Sequence, residues 1–150
     1  MAYTTAEARQ QLLDTVAEAI DSVGLALAAL GAAYELLDEH KGDELEERLF
    51  RPAQTAYGRA QRIHAAFAER AGLPGRAFAQ PAVPGEDARA AIDRAVHAIV
   101  RAGAEIADLQ DSMLPVEVGD RELRAGLAEV RELLEPLQGR ARELLRTLGR

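Results

Sequence analysis

From Leu12 to Leu37 the residues Leu13, Val16, Ile20, Val23, Leu27, Leu30, Tyr34 and Leu37 follow one another in alternating steps of three and four. That period belongs to a helix laying one side along its neighbours, and it predicts that this segment is the central staple of an all-α fold. The expected helix runs from about 4 to 41. Thr4 with Glu7 forms a capping box at its start, and Gly42 supplies a left-handed stop. Beside the main seam lie Ala17, Gly24 and Gly31 on one flank and Leu12, Ala19, Ala26 and Ala33 on the other. Small residues in line let neighbouring helices approach closely, and a helical Gly costs about 1 kcal/mol relative to Ala, so both glycines read as packing choices.

Gly42 followed by Asp43 predicts a sharp turn into a second, antiparallel helix over 43–72 with the seam Leu49, Ala53, Ala56, Ala60, Ile63 and Phe67. Pro52 lies inside that pattern, where it removes a hydrogen bond and crowds the preceding turn, so the helix either kinks or divides there. Gly72 ends it. Residues 73–84 hold three prolines and read as a long ordered connection carrying Phe78 and Val83. A third helix is expected over 85–114, with the seam Ile92, Ala95, Ile99, Ala102, Ile106, Leu109 and Met113. After a turn at Pro115–Asp120, a fourth spans 120–148, capped by Asp120 and bent at Pro136 on its solvent side, because the seam keeps its phase across that proline. The expectation is one domain, 1–150: an antiparallel four-helix bundle about 45 Å long, with a long proline-containing loop between helices 2 and 3.

Composition agrees with this reading. Aromatic residues make up 4% of the chain and its apolar content is mostly Ala and Leu, a mixture suited to helices rather than strands. Cysteine is absent, which removes disulfides, thiolate metal sites and thiol nucleophiles. The first residues have neither a basic start nor an apolar h-region, and the most lipid-like run, Val23 to Tyr34, is shorter than the roughly twenty residues of a membrane span. A cytoplasmic protein without a membrane partner is expected. Net charge is −7, with seven acids against two bases from Thr4 to Lys41 and even balances over 43–72 and 115–150. A nucleic-acid partner, which needs clustered positive charge, is disfavoured.

The candidates for chemistry are few. No histidine has a Glu three residues before it, which excludes the ferritin-like di-iron pattern. Asp93 and His97 lie one helical turn apart as a weak two-ligand pair, and His40 reads as a cation at the end of helix one. Asp14, Glu18 and Asp21, and likewise Glu35, Asp38 and Glu39, read as solvated carboxylates. No metal site and no cofactor is nominated. His64 lies beside the second seam in line with Tyr57 and Phe50, and is read as a buried structural histidine.

Arg59 and His64 stand in R-x4-H spacing. Over those two residues the chain resembles the active-site motif of HEPN-family ribonucleases, which are α-helical and often dimeric. The resemblance implies an RNase in which Arg59 and His64 are catalytic; Tyr57, in line with His64, is a further candidate. The reading that the residues themselves favour is a non-enzymatic bundle acting through protein association, with a small-ligand or metal-binding bundle as a further alternative. Helix one carries a second apolar stripe, Leu25, Ala28, Ala29, Ala32 and Leu36. A helix apolar all round is normally buried all round, so this stripe predicts a homodimer joined through helix one.

Overall fold

The computed structural model of the protein describes residues 5–85 and 87–148. Among them there is no strand, and four helical arms pack on one another. The first arm is α1, Thr5–Tyr34. The second comprises α2 (Glu39–Leu45), a π-helical turn (Glu46–Phe50) and α3 (Arg51–Ala71). The third is α4, Ala88–Asp111, followed by the short α5, Leu114–Val118. The fourth comprises α6 (Arg121–Leu134) and α7 (Leu137–Thr147). The expected Thr4 cap lies outside the described residues.

Helix one is shorter than its seam. It stops at Tyr34, where the amides of Leu36 and Leu37 bond back to the carbonyls of Ala33 and Tyr34 in a tight turn. Asp38 then caps a new helix by accepting from the Lys41 amide at 2.8 Å. The expected stop at Gly42 is therefore a correction: Gly42 is buried inside α2 and is not left-handed. Its purpose is close approach, since a Cβ there would stand 3.3 Å from the Tyr34 ring. His40 accordingly lies in the first turn of α2 and not in the last turn of helix one, so the helix dipole no longer favours a cation there.

Pro52 neither breaks the second arm nor leaves it a plain α-helix. A proline offers no N–H to the carbonyl four residues back and crowds it. The backbone absorbs this by widening into the π turn just before it, with the Arg51 amide reaching Glu46 O five residues back. The freed Arg48 carbonyl accepts instead from the Arg140 guanidinium of α7 at 3.1 Å. Gly72 then ends α3 in the left-handed conformation, as the sequence predicts.

The expected turn at Pro115–Asp120 holds α5, because proline favours the first turn of a helix and Gly119, at φ 71°, stops it. Asp120 caps α6 on the Leu123 amide at 2.9 Å, as expected. At Pro136 the fourth arm is interrupted between α6 and α7, with Glu135 and Pro136 keeping right-handed helical backbone. The proline is exposed, while Leu134 and Leu137 on either side are buried, so the seam keeps its phase.

Cross-arm bonds give the directions. Arg70, at the end of α3, clamps Asp120 and Glu122 at the start of α6. Arg48 pairs with Glu143, and Lys41 bonds Thr147, joining the start of the second arm to the end of α7. Arg89, at the start of α4, donates to the carbonyls of Leu145 and Leu148, so α4 begins at that same end. Thus α1 and α6–α7 run one way, while α2–α3 and α4 run the other. The non-helical stretch from 73 to 85 links the far end of α3 to the near end of α4, a climb of about 30 Å for a 21-residue helix.

The main seam of α1 is buried from Leu13 to Leu30 and surfaces only at Tyr34. By length and composition α1 would pass as a membrane span, yet 67% of its most apolar window is buried inside the fold. It packs most extensively on α4 and also against α3 and α5. In its middle, Ser22, Val23, Gly24, Ala26, Leu27, Ala29 and Leu30 are all covered.

Candidate functional site

Two regions gather chemistry, one under the connection and one at the turn between α1 and α2. In the first, His64 is 2% exposed and its Nδ1 has no hydrogen-bond partner. Phe78 of the connection closes over it edge-on, with ring centroids 5.1 Å apart. Arg76 stacks on the Phe78 ring, 4.5 Å from its centroid, and pairs with Asp21 of α1 at 2.9 Å. Burial lowers the His64 pKa, Arg76 lowers it further and Asp14 partly opposes them. Tyr57 is half-buried against Gly24, where a Cβ would stand 3.2 Å from the Tyr57 ring. Burial, then Asp21, raises its pKa. Gly24 thus serves close approach, whereas nothing lies within 4 Å of a Cβ at Gly31.

The structure does not bring Arg59 and His64 into one groove. Arg59 is exposed and ion-paired with Glu129 of α6, on the α3–α6 side. His64 faces the connection, and no hydrogen bond joins it to Tyr57 or Arg59. A general base needs reach to a proton on its substrate, and here an aromatic ring occupies that approach.

The other candidates also separate. Asp93 and His97 are exposed beside Leu25 in a shallow cavity of about 420 Å³ shared with Arg94 and Arg101. Asp14 accepts from Gln10 at 2.8 Å, and Asp38 is spent as a cap. The apolar stripe of helix one is not a single water-facing strip. Ala29 is fully buried within the chain, Leu25, Ala28 and Ala32 are half-covered, and Leu36 lies beyond α1 in the turn. Within the chain that face is covered fully at Ala29 and only in part at Leu25, Ala28 and Ala32, with Leu25 packing at the edge of the core.

The second region is the turn itself. Leu36 is 55% exposed and Tyr34 is 40% exposed. Tyr34, Gly31 and Glu35 form one side of a cleft of about 290 Å³, and Glu46 and Phe50, from the π turn, form the other. Between Glu35 and Glu47 stand seven carboxylates and one lysine, which accounts for −6 of the net −7. Dividing the chain at Gly42 splits this run between two segments, and the second then looks neutral. Arg48 is committed to Glu143 outside the run, and Lys41 bonds Thr147 and pairs within the run with Glu44 alone. Glu46 and Phe50 escape sequence reasoning because the π turn that presents them arises from Pro52 downstream.

Fold and site together define an all-helical protein of four packed arms with one acidic, aromatic-lined end. Compared with known proteins, the chain matches no family model, no characterised protein and no solved structure.

Proposed function

We propose that the protein is a non-enzymatic four-helix bundle that works by association, binding another protein through the end where α1 turns into α2. The observation that carries this reading is the exposure of Leu36 and Tyr34 within the chain's densest cluster of charge. An apolar anchor ringed by like charges is how an interface joins contact area to steering: the anchors supply the burial, and the charges select the partner and speed the encounter. The test is a photo-crosslinking amino acid at position 36, compared with one at exposed Arg142 on α7. Discrete adducts from position 36 alone are expected; the same adducts from both positions, or none from either, would refute the reading.

Homodimerisation through α1 is the second reading, supported by Leu25, Ala28 and Ala32, which are apolar and only half-covered. Light scattering on a sizing column separates the two. A dimer gives twice 16.2 kDa, and Leu25→Glu then returns it to a monomer.

A further inference from the structure

We infer that the cleft between α1 and the π turn receives an arginine side chain from a basic segment of the partner protein. This rests on the association reading and specifies what the acidic end recognises.

Four features converge on that ligand. The walls are aromatic, Tyr34 from α1 and Phe50 from the π turn, and the space above Gly31 is open. Glu35 and Glu46 stand one on each side, and no described base pairs with either carboxylate. A volume of about 290 Å³, at the bottom of the roughly 300 to 1,000 Å³ range of ligand sites, gives room for one long side chain. The surrounding residues carry −6 within thirteen positions, which attracts a basic segment and repels the same end of a second copy.

Among cations, guanidinium fits best. It is planar, stacks on an aromatic face and donates in its own plane to carboxylates, while its aliphatic stem lies along apolar surface. An ammonium group is a strongly hydrated point charge and uses the rings less well. The exposed Leu36 beside the cleft gives an apolar neighbour of that arginine somewhere to pack.

The test is an NMR titration of the whole 15N-labelled chain with a short peptide alternating arginine with leucine, run beside its lysine counterpart. The arginine peptide should shift the amides of Gly31, Tyr34 and Phe50 and bind at least about fivefold more tightly than the lysine peptide. Glu35→Gln combined with Glu46→Gln should weaken binding about tenfold, and Phe50→Leu should remove the preference for arginine while leaving residual affinity. Equal binding of both peptides, with shifts spread over Asp38, Glu39 and Asp43, would mean diffuse charge attraction and overturn the inference. So would the absence of shifts in the cleft. If crosslinks from position 36 persist in that case, the association reading stands and only the arginine assignment falls; if they are absent too, both fall.

Discussion

Gly126→Ala should destabilise the protein although alanine is the better helix former. Gly126 lies in α6 against α3, and a Cβ built there would stand 2.5 Å from Ile63 Cδ1 and 2.6 Å from its Cγ1. Both distances are well inside van der Waals contact. Because Cγ1 is involved, turning the tip of Ile63 is not enough; the whole side chain must change rotamer or α6 must move away. Helix propensity contributes about 1 kcal/mol in favour of alanine, and overpacking costs about 1 to 3 kcal/mol, so a net loss of about 1 kcal/mol is expected. Gly103→Ala is the matched control, inside α4 with nothing within 4 Å of its Cβ, and should gain about 0.5 to 1 kcal/mol. Urea unfolding of the wild type and both variants, read as midpoint shifts at constant slope, measures the difference. In an Ile63→Ala background the obstruction is gone, and Gly126→Ala should turn stabilising; the coupling between the two positions is the signature. Equal gains from Gly126→Ala and Gly103→Ala, or no reversal in the Ile63→Ala background, would refute this account of the α3–α6 contact.

Three further outcomes are expected. The His64 pKa is held below 6.5, mainly by burial, so the unfolded chain takes up that proton first; this contribution to stability is complete above pH 6.5 and is lost as pH falls towards the folded value. His64→Gln should flatten that part of the stability profile measured by urea unfolding, and an unchanged slope would contradict it. Leu30→Ala should cost about 2 to 5 kcal/mol as a cavity in the core, while the exposed Glu18→Ala stays within about 0.5 kcal/mol, and thermal melts will show whether the two differ. Asp120→Ala removes the cap of α6 and the partner of Arg70, and chemical denaturation should record a loss of about 0.5 to 2 kcal/mol. Since the hydrogen bond from Arg70 lowers the Asp120 pKa, the loss should be present above pH 3.8 and fade as the carboxylate protonates.

Hydrophobic period and local capping were legible in the chain because both act within a few residues. The three-four seams place Leu13 to Leu30, Ile92 to Leu109 and Leu123 to Leu144 in the core, and Gly72 and Asp120 end or begin helices as their chemistry requires. Seams also overrun, since Leu37 keeps the period although the backbone has turned after Tyr34. The end of α1 depends on competition between Asp38 as a cap and Gly42 as a stop. The packing of the Tyr34 ring on Gly42, across the turn, goes with the first.

Only the tertiary structure decided what the charged and aromatic residues do. His64 and Arg59 are neighbours in sequence, yet the fold turns one beneath Phe78 and the other to Glu129 on a different arm. Ala29 is apolar in sequence and covered by its own chain, which no local pattern reveals. Likewise the cleft needs Gly31 and Tyr34 from one arm and Glu46 and Phe50 from the next, presented by a π turn in place of a regular helix. Period and caps are properties of one segment; a site is a property of which segments meet, and that depends on how the arms pack along their whole length.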